Sequence, residues 1–149
     1  MKRPRTWYVV ADGGRARFLE KRDAQGMFDT IRELVSADLH RRSHDLGTER
    51  PGRTFDTAGT AHHAVEPRED LHRAEKRNFV YDIAAALNEA SAGDEFDRLV
   101  LVAPAHALRE LNDGLDAATR RKIAAQLQKD LTKTPAGELA KHFADLKDA

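Results

Sequence analysis

Cysteine is absent from the 149 residues. That excludes disulfides, thiol nucleophiles and cysteine-ligated zinc or iron–sulfur centres. Net charge is absent too. The 25 basic side chains balance 25 acidic ones, so the chain exerts no overall electrostatic pull on nucleic acid or on a membrane. The halves differ slightly: residues 1–77 carry 16 basic and 13 acidic side chains, and residues 78–149 carry 9 and 12. This hints at a basic face in the first half. No long apolar run occurs. The run near the start, Trp7 to Ala11, has five residues, too few for the apolar core of a signal peptide. Nothing approaches the roughly 20 apolar residues of a membrane span. The cytoplasm is the expected location, with no membrane partner. Internal repeats are also missing.

What is present is a globular composition, 40% apolar and 34% charged. The length of 149 residues fits one domain with a sizeable core. Thr6 to Ala11 is β-branched and aromatic and runs into Asp12-Gly13-Gly14, a strand and a tight turn. Arg15 to Glu20 returns antiparallel as a hairpin. After a turn at Asp23-Ala24-Gln25-Gly26, Met27 to Val35 reads as a third strand with imperfect alternation. Glu66-Pro67-Arg68-Glu69-Asp70 marks a helix start through the fixed φ of proline and the acids beside it. Leu71, Ala74, Phe79, Ile83, Leu87 and Ala90 form the apolar stripe of a long helix, stopped by Ala92-Gly93-Asp94. Phe96 to Ala103 is the strongest strand signal, and its LVLVA core suits a strand buried on both faces. Pro104 opens a short helix carrying Leu108 and Leu111, ended by Asn112-Asp113-Gly114. Leu115, Thr119, Ile123, Leu127 and Leu131 recur every four residues, which favours a helix. Ile123, Ala125 and Leu127 also alternate with polar residues, which favours a strand. Thr134-Pro135 reads as a cap and first-turn proline before a helix lined by Leu139, Phe143 and Leu146.

Between the third strand and the long helix lies a polar insert at about 38–68, with no period of 2 or 3.6. Structureless loops beyond roughly 12–15 residues are uncommon in compact domains unless they are functional or disordered. Arg41, Arg42, Arg50, Arg53 and Arg68 suit phosphate contacts, and Phe55 suits stacking on a base. Asp45, Glu49, Asp56 and Glu66 dilute that charge, and a solvated loop without a ligand is the simpler alternative. Five of the seven histidines fall between residues 40 and 72. His40 and His44, with His62 and His63, are weak metal-ligand candidates: the spacing of four suits two ligands on one helix face, yet nothing there reads as a helix.

TWYVVADGGRARF, ERPGRTFDTAG, HAVEPRED, FDRLVLVAP and KDLTKTPAGELAKHF, in this order, resemble the bacterial host attachment protein family, described as proteins required for attachment to host cells. AEKRNFVYDIAAAL on the long helix is similar to the helix after the catalytic loop in the central domain of peptide-chain release factors and their ribosome-rescue relatives. The resemblance implies a single α/β domain of ribonuclease-H-like type. Its mixed five-stranded sheet would have three antiparallel and then two parallel strands, with helices on both faces. It implies that Lys122 to Gln128 is the fifth strand. It also implies a ribosome or tRNA partner, met through the insert and the helix start, with Arg50, Arg53, His62, His63, Arg68 and Arg77 as contacts. Release factors carry Gly-Gly-Gln in the loop before this helix. This chain has Ala58-Gly59-Thr60-Ala61-His62-His63 there and no Gly-Gly-Gln anywhere.

The expectation is therefore a non-catalytic RNA-binding domain without a cofactor. The alternative is a module that binds a protein partner or itself and acts indirectly in attachment. A metal-dependent hydrolase or nuclease is the least supported reading. Asp12 ends the first strand, where ribonuclease-H-like nucleases place a metal-binding carboxylate. Two-metal chemistry needs several convergent acids, and the buried strand ends in Ala103-Pro104-Ala105. Asp12 reads more simply as a turn residue. Asp12-Gly13-Gly14-Arg15 lacks the glycine spacing of a phosphate loop. Ser36, Ser43 and Ser91 lie in no nucleophile turn.

Overall fold

The computed structural model describes residues 4–22, 27–36, 58–143 and 146, with the backbone alone at 58–69. Strand β1 (Thr6–Ala11) is buried along its whole length. Its branched and aromatic side chains suit a pleated surface packed on both sides. β2 (Arg15–Lys21) pairs antiparallel with β1, and β3 (Phe28–Val35) pairs antiparallel with β2. β4 (Arg98–Val102) lies parallel to β1, and β5 (Ile123–Leu127) lies parallel to β4. The order is β3-β2-β1-β4-β5. This is the sheet of three antiparallel and two parallel strands that the resemblance implied. Trp7 and Tyr8 both belong to the core because β1 is central.

Two register shifts explain the ambiguous stretches. On β3, Arg32 faces Phe18 and Thr30 faces Leu19, so Ile31 is an extra residue. A bulge of this kind breaks alternation. On β5, Ile123 faces Leu99 and Ala125 faces Val100, so Ala124 is extra. Ile123 packs on one face of the sheet and Ala125 and Leu127 on the other. The series that recurs every four residues thus crosses several elements. Thr119 sits on a four-residue helix at Ala117–Arg120, capped by Asp116, whose Oδ1 accepts from the Thr119 amide at 2.8 Å. The strand reading of Lys122 to Gln128 holds because buried β4 needs a hydrogen-bonded neighbour on its outer side.

Number the helices in chain order: α1 (Ala58–Ala92), α2 (Ala105–Gly114), α3 (Ala117–Arg120) and α4 (Ala136–Phe143). α1 and α2 cover one face with Phe79, Val80, Ile83, Leu87, Ala107 and Leu111. On that face Trp7 meets Phe96 at 4.9 Å between ring centroids and donates its indole N–H to Glu20 at 3.0 Å. α4 covers the other face with Leu139 and Phe143. There Tyr8 stacks on Phe143 at 4.7 Å and meets Phe28 edge-on at 4.9 Å. α2 approaches α1 closely at Gly114, where an added Cβ would lie 2.8 Å from the Ala84 Cβ. Asn88 joins the two helices by donating to the Gly114 carbonyl at 3.0 Å and accepting from the Asp116 amide at 2.9 Å.

α1 departs from expectation at its start. The turn signal at Pro67 suggested a helix beginning there, but the backbone is helical from Ala58. The expected loop at 38–68 therefore loses its last eleven positions to α1. Proline usually opens a helix because it lacks an N–H; here it lies inside the first third of one. The stop is as read, with the Glu95 amide donating to the Ala90 carbonyl at 2.9 Å. The left-handed residue is Asp94, φ 56°, and not Gly93. Lys122 Nζ donates to the Ser91 carbonyl at 3.1 Å, satisfying an acceptor that the helix end leaves open. Among the described residues, no helix is long and apolar enough to cross a membrane.

Candidate nucleic-acid interface

A helix of 35 residues is about 50 Å long, and strands of five to eight residues span roughly 17–26 Å. α1 therefore outruns the sheet. Its first buried side chain among those described is Phe79. The arm before it carries Leu71, which the apolar stripe had placed in the core, at 48% exposure. The stripe is real from Phe79 to Ala90, but Leu71 lies beyond the sheet it would pack on.

The sides of this arm differ in charge. Arg73, Lys76 and Arg77 are exposed and spaced three and four apart, so they are neighbours on the helix surface. Among the described residues, no carboxylate lies within ion-pair distance of any of the three. On the side turned to the end of β3 lies a cavity of about 340 Å³ lined by Leu34, Val35, Ser36, Glu75, Asn78, Phe79 and Asp82. Its two carboxylic residues, Glu75 and Asp82, set that side apart from the one with Arg73 and Arg77, which also carries the exposed Asp70 three residues before Arg73.

The arm leaves the sheet at the β1–β2 turn. Asp12 Oδ1 accepts from the Gly14 and Arg15 amides, both at 2.8 Å, which is the turn role read from the sequence. Asp12 Oδ2 accepts from the Thr132 hydroxyl at 2.9 Å, and Asp130 Oδ1 lies 3.1 Å from the same hydroxyl. Gly13 sits under Lys76: a Cβ built there would be 2.9 Å from Lys76 Cγ and 3.0 Å from its Cβ.

Of the residues expected to touch RNA, Arg77 is exposed on the arm. His62, His63 and Arg68 belong to α1, with side chains outside the described set. Arg50 and Arg53 lie outside the described residues, as do the metal candidates His40 and His44. Among the described residues, no group of three or more His, Asp or Glu side chains could hold a metal. Arg73 was missed as a candidate, although the basic spacing in RAEKR signals it once the helix is granted.

This is a single mixed α/β domain whose longest helix projects an arm of mixed charge, with Arg73, Lys76 and Arg77 exposed on it, beyond the sheet. The family model described as "Protein required for attachment to host cells" matches residues 7–143, nearly the whole chain, and the chain belongs to that family. Among curated proteins none matches it.

Proposed function

We propose that this member of the family is a non-catalytic, release-factor-like cytoplasmic domain that binds RNA, with the ribosome or a tRNA as partner. The contacts would be Arg50, Arg53, His62, His63, Arg68 and Arg77, joined by Arg73. The observation that carries this reading is the α1 arm: exposed Arg73 and Arg77, without an ion-pair partner among the described residues, beside a sheet end already occupied by turn contacts. The similarity of AEKRNFVYDIAAAL to the release-factor helix supports the choice of RNA. Contacts of this kind go to the backbone, so they are sequence-independent and salt-sensitive.

Replacing Arg50, Arg53 and Arg68 together by Gln tests it. Removing three phosphate contacts lowers the slope of log affinity against log salt by roughly 2–3, while thermal unfolding stays where it is. Unchanged RNA affinity in the triple variant would remove this surface from the reading.

A second reading has its own observation. Edge strand β3 and its approach expose Met27, Ile31 and Val35 at 52%, 41% and 51%. Exposed apolar side chains on an edge strand suit a protein partner or self-association. Such binding would be insensitive to salt, which separates the two. A hydrolase built on Asp12 has the least support, because both carboxylate oxygens are engaged by the turn and by Thr132.

A further inference from the structure

We infer that Gly13, held by Asp12 and Thr132, is a positioning residue that sets how the α1 arm leaves the sheet and so where its binding side points. The RNA arm of the test rests on the function proposed above; the positioning itself does not. Lys76 lies three residues before Phe79, the first buried residue of α1, and its aliphatic stem crosses the β1–β2 turn at Gly13. An added methyl group would meet Lys76 Cγ at 2.9 Å, Cβ at 3.0 Å and Cδ at 3.1 Å. Cβ is fixed to the helix backbone and Cγ and Cδ lie next to it, so a rotamer change at the Lys76 tip relieves nothing, and a turn about the first side-chain bond still leaves Cβ at 3.0 Å. Either the turn or the helix must move. The turn resists movement: it is closed by the Asp12 amide donating to the Arg15 carbonyl at 2.9 Å and by Asp12 Oδ1 accepting two amides. Thr132, 4% exposed and just ahead of α4, holds the other oxygen of the same carboxylate. One carboxylate thus ties the turn to the chain entering α4, and the missing Cβ of Gly13 lets α1 rest on that anchored turn.

Gly13→Ala therefore displaces the arm and leaves the core packed. Thr132→Val removes the anchor while keeping the volume. Hydrogen exchange of the amides of residues 70–78 should quicken about fivefold or more in Gly13→Ala, the lower end of what overpacking a fitted contact costs. The amides of β1 and β4 should keep their protection. Lys76→Ala removes Cγ and Cδ and leaves Cβ, so the double variant Gly13→Ala/Lys76→Ala should recover part of the loss: a non-additive pair, as residues in direct contact require. Thr132→Val should move the same amides in the same direction. Affinity for purified ribosomes is read in parallel and should fall in Gly13→Ala with the core amides unchanged.

If the native chain binds no ribosomes, the RNA reading fails, and the exchange data alone decide the positioning role. Wild-type exchange at 70–78 in Gly13→Ala, or strictly additive effects with Lys76→Ala, would overturn it. So would a uniform loss of protection across β1 and β4, which would make Gly13 a general packing position.

Discussion

Replacing Tyr8 by Phe should make the protein more resistant to alkali, by an amount the structure sets. The Tyr8 ring lies in the core between Phe28 and Phe143, 1% exposed. Burial disfavours its phenolate and pushes its pKa up to about 12. In the unfolded chain the phenol titrates near its ordinary value of about 10. Between those values the unfolded chain has released the proton and the folded chain keeps it. The unfolded state then binds fewer protons, so stability falls as pH rises. Below about pH 10 both states are protonated and the group contributes no pH dependence. At pH 11 the unfolded state gains about 1.4 kcal/mol from ionisation and the folded state almost nothing. Tyr8→Phe keeps the ring contacts and removes this loss. Urea unfolding followed by the fluorescence of Trp7, the single tryptophan, gives stability at pH 8 and pH 11. Between the two, the variant should lose about 1.4 kcal/mol less than the wild type. All other groups are common to the two proteins and cancel in the comparison. An identical pH dependence for the two proteins would mean that Tyr8 reaches water in the native state, and would refute its place in the α4 layer.

The helix packing makes two further predictions. Gly114→Ala sets a methyl 2.8 Å from the Ala84 Cβ and 3.0 Å from the Tyr81 ring. It should destabilise the fold by about 1–3 kcal/mol, read as a lower urea midpoint at unchanged slope, and a neutral result would contradict the α1–α2 contact. Leu71→Ser, at a position 48% exposed, should change stability by less than about 0.5 kcal/mol. Leu87→Ala, fully buried on the same helix, should cost about 2–5 kcal/mol. Equal costs at the two positions would return Leu71 to the core.

Much of the sheet was legible because its strands carry local signals. TWYVVA and LVLVA are β-branched and apolar enough to be placed without neighbours, and Asp12-Gly13-Gly14 fixes the hairpin between β1 and β2. β5 was not legible from pattern alone. Its five residues hold one bulge, and its burial comes from pairing with β4, a contact of distant sequence origin. The start of α1 was misread for a related reason. Ala58 to Glu66 carries no apolar stripe in its sequence, and a periodicity argument detects helices only through such a stripe. The candidate site divides the same way. Arg77 and its neighbour Arg73 could be found from helical spacing, whereas the Thr132 contact to Asp12 joins residues 120 positions apart and leaves no local trace. Arg50 and Arg53 rest on composition and resemblance.

Co-sedimentation of the purified protein with ribosomes across a salt series tests the central claim most directly. The account predicts pelleting at low salt that falls steeply as salt rises, with a shallower fall when Arg50, Arg53 and Arg68 are replaced by Gln. Absence of pelleting at low salt, or pelleting indifferent to salt, would contradict it and favour a protein partner on the exposed edge of β3.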